Sequence, residues 1–142
     1  MKTIPIDYDR PMYEDARRRC GGTDEKTFEA FFDEQYEMLQ ALKPPIVGHF
    51  DLIRLKSDQP DCSMKSWDDV WKRVLRNLEF IQRYGGLIEL NSAALRKGLS
   101  EPYPQSDICK VCSFTKLLSG WFESNSIWRA DILGNGWPFY AF

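Results

Sequence analysis

The sequence predicts an α/β fold, and two observations carry that expectation. Two amphipathic stretches with helical periodicity, residues 24–42 and 67–84, are each followed at once by a short apolar run, residues 45–49 and 87–91. Those runs are short and apolar without alternation, as strands of a parallel sheet covered by helices are. Two strands alone do not make a stable open sheet, so more strands are expected than these.

The chain has 142 residues, the length of one ordinary domain, and can bury roughly 68% of its unfolded surface. Hydrophobic residues make up 43% and charged residues 28%, both ordinary for a globular protein.

Residues 1–22 are punctuated by Pro5, Pro11 and Gly21-Gly22. An extended opening at 3–9 and a short helix at 13–19 are expected there. In the first strong helix, Phe28, Phe31, Phe32, Gln35, Tyr36, Leu39 and Leu42 follow the 3.6-residue period, and Glu25, Glu29, Asp33 and Glu37 take other faces. Thr23 or Asp24 can cap it, and Pro44-Pro45 ends it. The strand at 45–49 leads into a loop or brief helical turn at 50–55, then a polar connection at 56–65. The second helix has Ser66 as its expected cap, with Asp69 in the capping-box position. Trp67, Val70, Trp71, Val74, Leu75, Leu78 and Ile81 form its apolar face, and Gly85 supplies positive φ at its end. After the second strand, 92–97 reads as a short helical element and 105–118 as another helix. Residues from 120 onward crowd Trp121, Phe122, Trp128, Trp137, Phe139, Tyr140 and Phe142 with no clean period.

Composition excludes several functions. The 19 basic and 21 acidic residues give a net charge of −2, so no basic field favours nucleic acid. Arg17-Arg18-Arg19 sits among Glu14, Asp15 and Asp24 and reads as a solvated helix face. No apolar run approaches the ~18 residues of a membrane span. Residues 1–20 lack the apolar core of a secretory signal, which leads to an expected cytoplasmic location. Of the cysteines Cys20, Cys62, Cys109 and Cys112, only the last two have a suggestive spacing. No second pair follows to complete a zinc site, and reduced, non-catalytic thiols are expected.

Chemistry is expected at the carboxyl ends of the two strands. His49 ends the first, with Gly48 permitting close approach and Asp51 two positions on. His49 is either a hydrogen-bonded turn histidine or a metal ligand or base; Asp51 is either a cap for 52–55 or a functional acid. Glu89 interrupts an apolar strand and is costly if buried alone. Its structural alternative is an ion pair with Arg54, Arg96 or Lys97. Glu89 and Asn91 share parity and can face the same interior. His49 is the sole histidine, which rules out a histidine-rich metal cluster on this chain.

Ile46-Val47-Gly48-His49-Phe50-Asp51-Leu52-Ile53-Arg54-Leu55 resembles an internal histidine motif of the PHP (polymerase and histidinol phosphatase) superfamily. The stretch from Gly85-Gly86-Leu87-Ile88-Glu89-Leu90-Asn91 through Ser92-Ala93-Ala94-Leu95-Arg96-Lys97-Gly98 is similar to its later Glu-x-Asn strand. Thr3-Ile4-Pro5-Ile6-Asp7-Tyr8-Asp9 also resembles a segment of those proteins. The resemblance is strongest to histidinol phosphatases of fungal type and covers about residues 3–108. It implies an incomplete portion of a distorted (β/α)7 barrel over 1–108, followed by a divergent aromatic-rich tail at 109–142. The implied reaction is hydrolysis of L-histidinol phosphate, a small phosphorylated substrate, by divalent zinc, manganese or iron ions. These ions would activate a water and polarise the phosphoryl oxygens. His49 is implied as a metal ligand, Asp51, Glu89 and Asn91 as organisers of the catalytic centre, and Arg96 and Lys97 as phosphate contacts. The early His-x-His and late Asp-x-His motifs of the superfamily are absent, so this chain is expected to be incomplete, weakly active or inactive, and to retain few or none of the metal ions. Two other readings are another PHP phosphoesterase and a non-enzymatic α/β protein that binds a partner through 121–142.

Overall fold

Apolar helix faces and short buried strands build the molecule as the periodicity requires. A computed structural model describes residues 4–112 together with the backbone of 113–115, 118–120, 128–130 and 139–141. The helices are α1 (Arg10–Arg19), α2 (Asp24–Leu42), α3 (Asp68–Tyr84), α4 (Ala93–Arg96) and α5 (Ser106–Thr115). The strands are β1 (Ile46–Val47), β2 (Leu87–Leu90), β3 (Leu118–Gly120), β4 (Trp128–Ala130) and β5 (Phe139–Ala141). Strands β1, β2 and β3 form a parallel sheet in that order, with Ile46 opposite Leu87 and Ile88 opposite Leu118. β4 and β5 pair antiparallel. The chain is thus an α/β domain with a small parallel sheet.

The third parallel strand takes Leu118, where the sequence predicts a helix over 105–118; α5 stops at Thr115. Most of the aromatic tail, including Trp121, Phe122, Trp137 and Phe142, lies outside the described residues, and so does the partner surface expected there.

Helix α2 starts as expected: the Thr23 hydroxyl accepts from Lys26 N at 3.2 Å. It ends at Lys43, which takes the left-handed conformation before the prolines. Helix α3 does not use Ser66. A 3-10 turn at Met64–Ser66 runs into it, and the Ser66 hydroxyl donates to Ser63 O instead. Asp68 and Asp69 in the first turn complement the exposed amides. Residues 3–9 hold no strand among those described, and α1 begins three residues earlier than expected. Asp9 caps it by accepting from Met12 N, and Pro11 sits in its first turn. The basic run on α1 is a paired face: Arg17 meets Glu14, Asp24 and Asp58, while Arg18 and Arg19 meet Asp15.

One core joins the layers. Phe28, Phe32 and Leu39 of α2 cluster with Val70, Val74, Leu78 and Ile81 of α3, over Val47, Ile88 and Leu90 of the sheet. Each such side chain contributes about 1.5–3 kcal/mol on burial. A polar thread crosses this core toward the end of β1. Asn77, fully buried, donates to Phe32 O and to Gln35 Oε1, and Gln35 donates to Phe50 O at 2.8 Å. Replacing Asn77 with leucine strands the Gln35 carbonyl without its donor. The expected loss is about 1–3 kcal/mol by urea unfolding, and a loss under ~0.5 kcal/mol would show that the thread is dispensable.

No helix among the described residues is long and apolar enough to cross a membrane.

Candidate functional site at the carboxyl ends of β1 and β2

Adjacent parallel strands bring their carboxyl ends to one edge of the sheet, and there Glu89 meets His49. The Glu89 side chain is buried, and its Oε2 accepts from the backbone N of His49 at 3.2 Å. The same oxygen lies 3.5 Å from His49 Nδ1. Asn91, two residues along β2, donates from Nδ2 to Glu89 Oε1 at 3.1 Å, so shared parity does place both on one side. Asn91 Oδ1 in turn accepts from Ala93 N. Its backbone pairs in both directions with Tyr103, whose ring lies 5.4 Å from that of His49.

Gly48 is what lets the carboxylate in. A Cβ at that position would stand 2.7 Å from Glu89 Oε2, closer than side-chain carbons come to oxygen. His49 has φ +49°, in the left-handed region that non-glycine residues rarely occupy. Glu89 therefore finds its partners in His49 and Asn91, and the ion pairs with Arg54, Arg96 or Lys97 weighed from the sequence are not what holds it.

Asp51 lies behind this cluster. It is fully buried, and its Oδ2 accepts from Gln105 N at 2.8 Å and sits 3.2 Å from Arg54 Nη1. It precedes a 3-10 turn, Leu52–Lys56, but its side chain makes no capping bond to that turn. Oδ1 has no hydrogen-bond partner among the described residues. Burial, only partly countered by Arg54 and the Gln105 amide, pushes its carboxyl up to about 6. Arg54 is the residue that sequence reasoning undervalued. Equally buried, it donates to Glu101 O and Pro102 O and so ties the 101–105 segment to the turn after β1. Its i,i+3 spacing from Asp51 was the available signal. Arg96 and Lys97 are exposed at the end of α4.

Cys109 and Cys112 are buried on α5, and burial raises both thiols, Cys112 to about 12. Such thiols are poor nucleophiles.

Divalent ions need converging donors. His49 and Glu89 supply one imidazole and one carboxylate at one point. Among the described residues no group of three or more His, Cys, Asp or Glu side chains is disposed to hold a metal ion. The donors in place do not fit a multi-ion cluster.

Comparison with known proteins adds relatives. The family model described as PHP domain matches residues 1–93, a span that contains Gly48, His49, Asp51, Glu89 and Asn91 but not Arg96 or Lys97. The chain is 35% identical to a histidinol-phosphatase of Saccharomyces cerevisiae, across 76% of this chain and 38% of that protein. It is 34% identical to a probable histidinol-phosphatase of Schizosaccharomyces pombe, across 78% of this chain and 37% of that one. The chain spans less than two fifths of the length of either relative. No solved structure matches it.

Proposed function

This chain belongs to the PHP domain family, and on that premise we propose that it is an incomplete portion of a (β/α)7 phosphomonoester hydrolase that acts on L-histidinol phosphate. The observation that carries the reading is the buried Glu89 carboxylate held against His49 at the strand ends, inside the family-matched span. An acid placed there is costly to bury without partners. The names of the two fungal relatives support the substrate.

Zinc, manganese or iron would be held by the complete domain and would there activate a water and polarise the phosphoryl group. This chain contributes His49 as one ligand, with Glu89 and Asn91 holding it in place and Asp51 bracing the turn behind it. Arg96 and Lys97 offer exposed cations to the phosphate. The chain by itself is weakly active or inactive, because one histidine does not complete the centre.

A chimera tests this. Residues 4–112 replace the matching span of the Saccharomyces cerevisiae relative, and phosphate release from L-histidinol phosphate is measured. Activity within about tenfold of the parent is expected, with Glu89→Gln lowering it on the order of 10–100-fold, as supporting residues at a metal site do. A folded chimera at background rate would remove the proposal. The isolated chain, given the same ions, is expected to stay near background.

A further inference from the structure

We infer that Glu89 is a positioning residue that sets which nitrogen of His49 carries the proton, with Nδ1–H turned to the carboxylate and Nε2 left as a bare lone pair. Four observations converge on this. The carboxylate is fixed, because Asn91 Nδ2 holds Oε1 while the His49 backbone amide holds Oε2. Asn91 is itself fixed by Ala93 N and by its backbone pairing with Tyr103. The imidazole is restrained too: it follows a left-handed backbone and lies beside the Tyr103 ring. Finally, the edge of the ring that faces Oε2 is the Nδ1 edge, at 3.5 Å.

A neutral imidazole has one N–H and one lone pair. At 3.5 Å the contact is longer than a normal hydrogen bond and acts as a charge–dipole contact, whose sign depends on what Nδ1 carries. A lone pair on Nδ1 facing an ionised carboxylate is repelled, whereas an N–H is attracted. The proton therefore goes to Nδ1, as in carboxylate–histidine pairs generally. Nε2 lies on the far side of the ring, in a side chain that is 38% exposed. Gly48 belongs to the same device, since a methyl group there would drive Oε2 away. The inference stands on these contacts and survives if the phosphatase reading fails. A chimera without activity would sink that reading and leave this one intact.

Because His49 is the sole histidine, its ring nitrogens can be observed without assignment. The full chain, made without a histidine tag and with 15N-labelled histidine, is examined by long-range 1H–15N spectra at mildly alkaline pH, where free imidazole is neutral. The wild type is expected to be protonated mainly at Nδ1. Glu89→Ala and Gly48→Ala should each reverse the preference to Nε2–H. A wild-type ring protonated mainly at Nε2 would overturn the inference. So would an unchanged pattern in Gly48→Ala, which decides the matter even if Glu89→Ala fails to fold.

Discussion

Replacing Arg54 with methionine is expected to cost about 3–5 kcal/mol at pH 7, the typical penalty for removing one member of a buried ion pair. Against a total stability of about 5–15 kcal/mol, that is enough to leave the domain marginal. Three losses coincide. Asp51, fully buried, loses the cation 3.2 Å from its Oδ2 and must hold its charge uncompensated or take up a proton. The carbonyls of Glu101 and Pro102 lose their donor. The guanidinium also leaves the Tyr103 ring, 5.5 Å below it. The loss should shrink as pH is lowered, since a protonated Asp51 no longer needs a countercharge. Arg83→Met is the contrast: its pair with Glu79 is exposed on α3, and its effect should stay within about 0.5 kcal/mol. Urea midpoints for both variants at pH 7 and pH 5 provide the check. If Arg54→Met costs no more than Arg83→Met, the buried pair is not a structural strut.

The layers of this fold are legible in the sequence because helix and strand periods are local signals. Phe28 to Leu42 and Val70 to Ile81 declare their faces every third or fourth residue, and both strands follow directly. Ser66 failed as a cap because a serine before a helix looks the same whether it begins the α-helix or ends a 3-10 turn. Pro11 read as a breaker, although proline is well suited to a first helical turn. Glu89 was visible as an acid in an apolar strand, and Gly48 beside His49 marked the close approach. Its partner was not visible as such, since every cation in reach seemed eligible and the choice depends on strand register. The return of 101–105 onto Asn91, Arg54 and Asp51 is a contact across tens of residues with no periodic trace at all.

Asp51 also gives the domain an unusual pH response. Its carboxyl is pushed up to about 6, first by burial, with Arg54 opposing. A folded pKa above the unfolded value means that the folded state binds the proton more tightly. The stability linked to this group is therefore fully present below about pH 4 and is lost as pH rises through about 6. A shift of this size corresponds to roughly 3 kcal/mol, as an order of magnitude. Other acids pull the opposite way in a lower window. The Ser63 hydroxyl and then Lys65 hold Asp107 below its ordinary range, and Arg10 and Arg17 do the same for Asp58. Their contributions are present above the usual carboxylate range and are lost as pH falls below it. Maximum stability is thus expected on the acid side of neutrality, between about pH 4 and 6. Asp51→Asn leaves an acceptor for the Gln105 amide but nothing to titrate. Subtracting its urea-midpoint profile from that of the wild type should isolate a decline confined to that window, whichever protein is the more stable overall. Two profiles that run parallel from pH 4 to 7 would show that Asp51 does not change its proton affinity on folding.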